Sequence, residues 1–400
     1  MTRTRRQHPV ARILAICIAV AALIVGGVWA GKIIGFVQDQ DAATDFYQIP
    51  ADLAQGEPGE LIAVEPLAGA PVGSHAWRVM YHSTDANGTD VPVTGIVVAP
   101  DGTRTDRPVI DWAHPTTVAA PQCAPSLGFD PFLLVEGLPM LLAQGYVVAA
   151  TDYLGMGLDT PSAYLIGGTE GRNVLDSVRA AQAIPEANAG DRVVLWGHSQ
   201  GGQAALFAEQ LATSYAPELD VAGVAVAAPA ADLSTLLDDD IDDISGVSIG
   251  SYAFTAFAAF YDEDISTILT PTAEKVVPQM VEICLLTDTA KLHELGQPLV
   301  GDFVSSDPSK TEPWAGLLQE NSADPAGAGR PLFIAQGLAD ELVDPSATAA
   351  FVTAACASGR SVHSVTLSGV NHGFIADLAL PELSGWLGAL EKGEPATTGC

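Results

Sequence analysis

The chain has 400 residues, 48% of them hydrophobic, which suffices for one large core or two modest ones and does not fit a disordered protein. Its 17 Lys and Arg stand against 48 Asp and Glu, so the net charge is −31. A surface this acidic repels phosphate backbones and anionic headgroups, and no nucleic-acid partner is expected. The same surface favours a soluble protein that works outside the cell.

The N-terminus carries an uncharged apolar run at residues 13–30, preceded by four arginines. This layout is typical of a secretory signal peptide or of an uncleaved membrane anchor, and both predict export. We assign residues 1–37 to this segment and the polar, acidic residues 38–45 to a spacer. The expected location is therefore secreted or at the cell surface, with membrane contact only through residues 1–37 if they are retained.

Five cysteines are present, and Cys17 lies inside the apolar run. The other four, Cys123, Cys284, Cys356 and Cys400, are an even number in an oxidising compartment and predict two disulfide bonds. Four cysteines allow three pairings. None of them has the CxxC or CxxH spacing of a zinc site, so no metal is expected.

Short apolar runs alternate with helical stretches from residue 46 onward, which is a βαβ rhythm. This rhythm predicts an α/β fold with a mostly parallel, eight-stranded sheet and helices on both faces. The predicted strands are 77–83, 93–100, 108–114, 145–152, 192–198, 221–229, 331–337 and 363–370, and the predicted helices include 131–144, 170–184, 200–213, 346–358 and 378–391.

About one hundred residues without strand rhythm separate the sixth and seventh predicted strands, far more than an ordinary connection needs. We interpret residues 234–325 as a helical cap that divides the core into residues 46–233 and 326–400. The cap begins acidic and then becomes apolar and aromatic. Its side chains Tyr252, Phe254, Phe257 and Phe260 either form the core of the cap or line an apolar pocket.

The motif that carries chemistry is Gly197-His198-Ser199-Gln200-Gly201, a G-x-S-x-G between an apolar strand and a helix. In this context the serine occupies a strained turn, and the flanking glycines Gly197 and Gly201 let neighbouring backbone approach. The helix N-terminus then points toward the reaction centre, so the backbone N–H of Gln200 is the first predicted oxyanion donor. The motif predicts an α/β-hydrolase whose nucleophile is Ser199.

A serine hydroxyl needs a base, and in α/β-hydrolases an acid and then a histidine follow the nucleophile along the chain. Asp340 follows the predicted strand 331–337, and His372 follows 363–370. These positions predict Asp340 as the acid and His372 as the base, with Asp344 as the alternative acid. His198, beside the nucleophile, is expected to support the turn rather than to act as the base.

The second oxyanion donor is expected in the loop that follows the strand 108–114. Pro115 has no N–H group, so Thr116 or Thr117 remains, with Thr116 as our choice.

Several segments together resemble the secretory lipase family of α/β-hydrolases over most of the chain from about residue 46. The segments are WAHPTT and CAPS within 112–126, TDYLGMG at 151–157, NVLDSVRAAQ at 173–182, WGHSQGG at 196–202, GLADELV at 337–343 and NHG at 371–373. The resemblance implies ester hydrolysis, often of lipids, a helical cap between the sixth and seventh strands, and no cofactor. It implies no protein partner.

The resemblance also implies how the cysteines pair: Cys123 with Cys284, tying the cap to the core, and Cys356 with Cys400 at the C-terminus. The sequence departs from the family in one loop. Where the family commonly reads His-Gly-Thr, this chain has the residues 114–116, His-Pro-Thr. The departure leaves the details of the oxyanion loop open.

The predicted activity is hydrolysis of carboxylic esters, of lipids or acylglycerols, through an acyl-enzyme on Ser199. Three alternatives share the fold: an extracellular acyltransferase, a serine peptidase of the prolyl-oligopeptidase type, and a binding protein without activity. The first hundred residues leave no room for the propeller of such a peptidase, and a binding protein would usually lack a member of the triad.

Overall fold

The computed structural model describes residues 45–117, 120–285, 287–394 and 399–400. Residues 49–400 form one compact unit. The predicted signal peptide or anchor at 1–37, and all but the last residue of the predicted spacer, lie outside the described residues.

The unit is built on one nine-stranded sheet with the order β1-β2-β3-β5-β4-β6-β7-β8-β9. The three pairs at one side of the sheet, β1–β2, β2–β3 and β3–β5, are antiparallel. The other five pairs, from β5–β4 to β8–β9, are parallel. The strands are β1 (Leu61–Pro66), β2 (Ser74–Thr84), β3 (Asp90–Pro100), β4 (Arg107–Ala113), β5 (Val147–Thr151), β6 (Ala189–His198), β7 (Asp220–Ala227), β8 (Leu332–Gly337) and β9 (Val362–Leu367).

Helices cover both faces of the sheet, as expected for buried parallel strands. They are α1 (Leu138–Ala143), α2 (Gly167–Gln182), α3 (Gln200–Tyr215), α4 (Leu233–Asp240), α5 (Ile244–Tyr261), α6 (Ala273–Met280), α7 (Thr289–Gly296), α8 (Trp314–Glu320), α9 (Pro345–Ala357) and α10 (Ile375–Glu391).

The central strand β6 illustrates why its sequence is apolar throughout. Val193 and Leu195 belong to the core cluster that includes α2 and α3, whereas Val194 and Trp196 belong to the cluster that includes α1 and α10. Successive side chains of a strand point to opposite faces, so each face of the sheet needs its own apolar set. The predicted α/β-hydrolase architecture, with helices on both faces of a mostly parallel sheet, is confirmed.

Two details of the sequence prediction were wrong. The sheet has nine strands rather than eight, because β1 pairs with β2 at the edge and its residues are half-buried or exposed, without an apolar run. The predicted helix 131–144 is a 3₁₀ turn at Pro131–Leu134 followed by α1. Gly137 interrupts it with φ 87°, a left-handed conformation that glycine adopts easily.

The cap segment lies between β7 and β8, the strands predicted as the sixth and seventh. Its described part contains α4 to α8. Asp232 caps α4 by accepting the N–H of Thr235, and Asp243 caps α5 by accepting the N–H of Gly246. Helix α5 is long and apolar enough to cross a membrane, but 56% of it is buried in the protein, as in a core helix.

Two disulfide bonds fasten the fold. Cys123 lies in a 3₁₀ turn shortly after β4 and is bonded to Cys284, which lies between α6 and α7 of the cap segment. Cys356 near the end of α9 is bonded to Cys400. The first bond joins the cap segment to the core across 161 residues of chain, beside the loop that was predicted to hold the oxyanion.

Candidate active site

Ser199 lies between β6 and α3 in an unusual backbone conformation, with φ 56° and ψ −117°. Its N–H donates to the carbonyl of Ala227 at 3.0 Å, and its own carbonyl accepts the N–H of Ala230 at 3.0 Å. Such a conformation is strained for a residue with a side chain and persists only when its surroundings hold it. The end of β7 and the segment that follows it therefore supply the contacts that fix the turn.

The two glycines of the motif are required by close backbone packing. A Cβ atom on Gly197 would lie 2.0 Å from the carbonyl oxygen of Gly201. A Cβ atom on Gly201 would lie 1.9 Å from the carbonyl oxygen of Ala113, at the end of β4. The first turn of α3 thus contacts the start of the loop that follows β4, and glycine permits the contact.

The predicted acid and base meet at the carboxyl ends of β8 and β9. His372 Nδ1 lies 2.9 Å from Asp340 Oδ2, and the other oxygen, Oδ1, accepts the N–H groups of Leu342 and Val343, each at 2.9 Å. Gln336 Nε2 donates to Oδ2 at 3.1 Å. An ionised carboxylate only accepts, so Nδ1 of His372 carries the proton and Nε2 is left as an acceptor.

Asp340 is held in its charged form. Burial acts to raise the pKa of this carboxyl, but the bond with His372 and the two backbone N–H groups outweigh it, and the pKa lies below its usual value. Within the described part of the chain, Ser199 Oγ and His372 make no hydrogen bond to each other. Such bonds are often long in enzymes without substrate and tighten when substrate binds.

Asp344, the alternative acid, is the N-cap residue of α9. It caps α9 by accepting the N–H of Ser346 at 2.7 Å. This bond lowers the pKa of the exposed Asp344 carboxyl.

His198 connects the nucleophile turn to the histidine loop. Its Nε2 lies 3.1 Å from the carbonyl oxygen of His372, and its Nδ1 lies 3.1 Å from the carboxylate of Glu136. The two histidine rings are 5.0 Å apart. Sequence reasoning missed Glu136, which lies in the irregular segment before α1 and carries no motif. These contacts place His198 between the Ser199 turn and the loop that carries His372.

The loop after β4 brings one of the two candidate threonines to the site. Thr116 lines the same pocket as Ser199 and Gln200, and its Oγ1 lies 2.8 Å from the hydroxyl of Tyr164. Thr117 is turned to the cap segment, where its carbonyl accepts the N–H of Leu285 at 3.0 Å. The geometry therefore favours Thr116 over Thr117 as the residue that faces the reaction centre.

His114, at the start of this loop, is buried. Its Nδ1 lies 2.7 Å from the carbonyl of Pro115, and the hydroxyl of Tyr153 donates to the His114 carbonyl at 3.1 Å. Burial lowers the pKa of the His114 imidazole, so its neutral form is favoured.

A small apolar pocket with a cavity volume of about 80 Å³ opens beside Ser199. The cap segment supplies half of the residues that line it, and most of the lining side chains are apolar. The pocket therefore matches the hydrocarbon chain of an ester better than a charged substrate. The apolar cap side chains that line it are Leu236, Leu237, Ile249, Ala253, Phe254 and Leu318, and Leu233, the last residue before the cap segment, lines it as well.

The cap aromatics divide between the two roles proposed from sequence. Tyr252 and Phe257 are completely buried and belong to the core of the cap, whereas Phe254 is buried and also lines the pocket. Phe260 packs against the core while remaining partly exposed.

One carboxyl lines the pocket as well. Asp240 ends α4, and burial, together with the charges of Asp243, Asp239, Asp340 and Asp344, raises its pKa to about 7. A negative charge at this end of the pocket is therefore resisted near neutral pH.

With this geometry in place, the relationship to known proteins is clear. The family model for secretory lipases matches residues 128–399. The chain belongs to the secretory lipase family. As a secretory lipase it is an exported enzyme that hydrolyses esters. Lipase A of Moesziomyces aphidis is 24% identical over 358 residues, which cover 80% of this chain and 73% of that protein.

Solved structures agree with the fold. Candida antarctica lipase A has a TM-score of 0.71 at 23% identity, over 90% of this secretory lipase and 88% of that chain. The rice cell wall degrading esterase LipA of Xanthomonas oryzae has a TM-score of 0.71 at 19% identity, over 84% and 98% of the two chains. A secreted triacylglycerol lipase of Malassezia globosa, LIP3, is 34% identical over 160 residues, which cover 37% of this chain and 34% of that protein.

Proposed function

We propose that this secretory lipase hydrolyses acylglycerols and related carboxylic esters through the triad Ser199, Asp340 and His372. The observation that carries the proposal is the hydrogen bond between Asp340 and His372 at the same sheet edge as the strained Ser199 turn. Three chemically matched groups at the ends of three strands fit nucleophilic catalysis.

In the first half of the reaction Ser199 Oγ attacks the ester carbonyl carbon, and His372 Nε2 takes the hydroxyl proton. The tetrahedral intermediate collapses, and His372 gives the proton to the departing alcohol. Asp340 holds the imidazole in the tautomer that accepts at Nε2 and stabilises the imidazolium. Water then attacks the acyl-enzyme with His372 again as base, and the carboxylic acid leaves as Ser199 recovers its proton.

Charge on the carbonyl oxygen is stabilised by donors that are fixed before the reaction begins. The backbone N–H of Gln200, at the N-terminus of α3, is the first, and the loop residue Thr116 supplies the second. Loss of one such donor costs about 3 kcal/mol of transition-state stabilisation, roughly a hundredfold or more in kcat.

The substrate class is supported by the pocket and by the relatives. The cavity beside Ser199 offers an apolar acyl chain apolar neighbours. A free carboxylate in it would lie near Asp240, whose raised pKa means that negative charge is disfavoured there. Relatives from Malassezia globosa are secreted triacylglycerol lipases. Membership of the secretory lipase family favours ester hydrolysis over the peptidase alternative.

The test is hydrolysis of p-nitrophenyl esters from two to sixteen carbons, and of tributyrin and triolein, by the protein and its Ser199→Ala variant. We expect activity on esters and its loss in the variant by about 10⁴-fold or more. Equal hydrolysis by both proteins would exclude Ser199 as the nucleophile. An added alcohol that raises product formation above the rate with water alone would instead indicate an acyltransferase.

The acid is tested by comparing Asp340→Asn with Asp344→Asn, two isosteric changes four residues apart. Asp340→Asn is expected to lower kcat by about 10⁴-fold, because the wrong imidazole tautomer is then favoured. Asp344→Asn keeps a good capping residue on α9 and should leave kcat within twofold. The reverse pattern would make Asp344 the catalytic acid.

A further inference from the structure

A fully buried carboxyl with no part in the proposed triad lies behind the candidate oxyanion hole. Glu170, in the first turn of α2, is 0% exposed. Its Oε1 accepts two hydrogen bonds, from Gln200 Nε2 at 2.6 Å and from the N–H of Leu165 at 2.9 Å. No described Lys, Arg or His forms an ion pair with it, and its Oε2 has no hydrogen-bond partner.

The first contact of Glu170 is made directly with Gln200, one of the two proposed oxyanion donors. Gln200 follows the nucleophile and is 1% exposed, so its side chain is enclosed. Its Nε2 donates to Glu170, and this bond fixes the side chain of the residue whose backbone N–H was assigned to the oxyanion.

The second contact links Glu170 to Thr116, the other proposed oxyanion donor, through the adjacent residues Leu165 and Tyr164. Leu165 has φ 58°, which is strained for leucine, and its carbonyl accepts from Gln203 Nε2 at 3.2 Å. Glu170 and Gln203 thus hold both backbone groups of Leu165. The preceding residue, Tyr164, contacts Thr116 Oγ1 through its hydroxyl at 2.8 Å.

We propose that Glu170 is a positioning residue that fixes the two oxyanion donors, Gln200 and Thr116, relative to each other. It acts on Gln200 directly and on Thr116 through the Tyr164–Leu165 segment. The inference rests on the proposed function, because it assigns Gln200 and Thr116 to the oxyanion hole. Glu170 itself touches neither substrate nor the reacting atoms.

The carboxyl works in its neutral form. Burial raises the pKa of Glu170 to about 8, against the weaker effects of the bonds from Gln200 and Leu165. The titratable side chains whose charges interact with it are Tyr153 and Tyr164, and burial raises the pKa of both phenols above their usual value. Neither phenol titrates near pH 8. Asp240, in the pocket beside Ser199, has a pKa of about 7 and is present in every variant compared below, so the difference between wild type and a neutral residue at position 170 reports Glu170 alone.

Ionisation of Glu170 places a negative charge behind the site where the oxyanion develops. Like charges in a poorly solvated site repel, and the transition state loses stability as a result. Turnover by the wild-type protein should therefore fall above about pH 8, by up to tenfold per pH unit, whereas a neutral isostere at position 170 escapes this fall.

A second buried glutamate supplies the matched control. Glu209 on α3 is also 0% exposed, and it accepts N–H groups from Ala328 at 2.9 Å and Arg330 at 3.2 Å. It is ion-paired with Arg360 at 3.2 Å rather than joined to the oxyanion residues. A change at Glu209 perturbs a buried carboxyl without touching the candidate site.

The experiment compares Glu170→Ala, Glu170→Gln and Glu209→Gln in the full chain with p-nitrophenyl butyrate, between pH 6 and 10. At pH 6.5 we expect Glu170→Ala to lower kcat by about 10- to 100-fold with KM within threefold, because the oxyanion donors lose alignment. Glu170→Gln should recover kcat to within about threefold of wild type and remove the fall above pH 8. Glu209→Gln should keep the wild-type kcat and pH profile.

Labelling with an organophosphonate separates this inference from the proposed function. If Ser199 is labelled and Glu170→Ala keeps the wild-type kcat, or Glu170→Gln keeps the fall above pH 8, the positioning role is overturned and the triad stands. If the wild-type protein is not labelled at Ser199, both proposals fail. Should Glu170→Ala not fold, the pH profile of Glu170→Gln against that of Glu209→Gln decides alone.

Discussion

Replacement of Gly201 by alanine tests the packing that supports the nucleophile turn. The added Cβ atom would lie 1.9 Å from the carbonyl oxygen of Ala113 and 2.7 Å from that of His114. Both atoms are backbone, so no side chain can rotate out of the way.

Ordinary contacts of a Cβ atom begin near 3.4 Å, so the first turn of α3 must withdraw from the end of β4 by about 1.5 Å. This turn carries the Gln200 N–H, and the end of β4 leads directly into Thr116. A misplacement of about 1 Å in a catalytic group can cost a hundredfold in rate. We therefore expect Gly201→Ala to lower kcat by about 100-fold or more.

The same displacement lowers the free energy of unfolding. Inserting a methyl group into closely packed surroundings costs typically about 1–3 kcal/mol, and a backbone clash belongs at the upper end. Gly388 provides the matched control, because it lies on the exposed side of α10 and its Cβ atom would have no neighbour within 4 Å. Gly388→Ala should raise stability by about 0.5–1 kcal/mol and leave kcat unchanged.

The assay combines urea unfolding followed by tryptophan fluorescence with steady-state hydrolysis of p-nitrophenyl butyrate. Titration with an organophosphonate counts the competent sites and separates a slow enzyme from a partly unfolded one. If Gly201→Ala unfolds at the wild-type urea concentration and turns over at the wild-type rate, the argument from backbone packing is refuted.

Three further predictions concern stability. Replacing Cys123 and Cys284 together by serine opens a loop of 161 residues and should lower the free energy of unfolding by about 5 kcal/mol. Urea unfolding measures this loss, and an unchanged urea midpoint would contradict the prediction. Folded Asp240 has a pKa of about 7 against an ordinary 3.8, so the folded state retains the proton and stability falls as pH rises between these values. Asp240→Asn should flatten this fall in melting temperature between pH 4 and 8, and a profile parallel to wild type would count against it. Arg360→Met leaves the carboxylate of Glu209 buried without its cation and should cost about 3–5 kcal/mol in the free energy of unfolding. Adding Glu209→Gln removes the unpaired charge, keeps an acceptor for the N–H groups of Ala328 and Arg330, and should restore much of the loss. Equal stability of the single variant and wild type would refute this.

The sequence was most informative where the chemistry is local. Gly197, Ser199 and Gly201 lie within five residues, and the turn they form is dictated by the backbone of those residues and its strand and helix neighbours. The order of Asp340 and His372 followed from the strands that precede them. In each case the informative residues are close in sequence to the element that positions them.

The supporting carboxyls were not predictable in this way. Glu136 contacts His198 across 62 residues, and Glu170 contacts Gln200 across 30. A glutamate in the first turn of a helix is favoured by the helix dipole and is ordinarily exposed, so position 170 looked unremarkable. Its burial depends on how α2 packs against α3, which no pattern within either helix specifies.

The edge strand β1 was missed for a related reason. It has one neighbour, β2, and its six residues are only partly covered, so selection for apolar residues is weak there. Strands buried on both faces, such as β6, are recognisable because every position must be apolar. The hydrophobic pattern of a strand therefore reveals it only when much of its surface is buried, and a largely exposed strand leaves no such pattern.

The division of the proposed triad between the two sides of the cap segment has a consequence for how the lipase is made. Ser199 is synthesised before the cap segment, Asp340 comes 141 residues later and His372 comes 173 residues later. At about 5–20 residues per second, the nascent chain exposes its serine for roughly 10–30 s with no base to activate it. The bonds Cys123–Cys284 and Cys356–Cys400 form only in an oxidising compartment. The mature form, with both disulfide bonds closed, is therefore reached only in an oxidising compartment outside the cytoplasm.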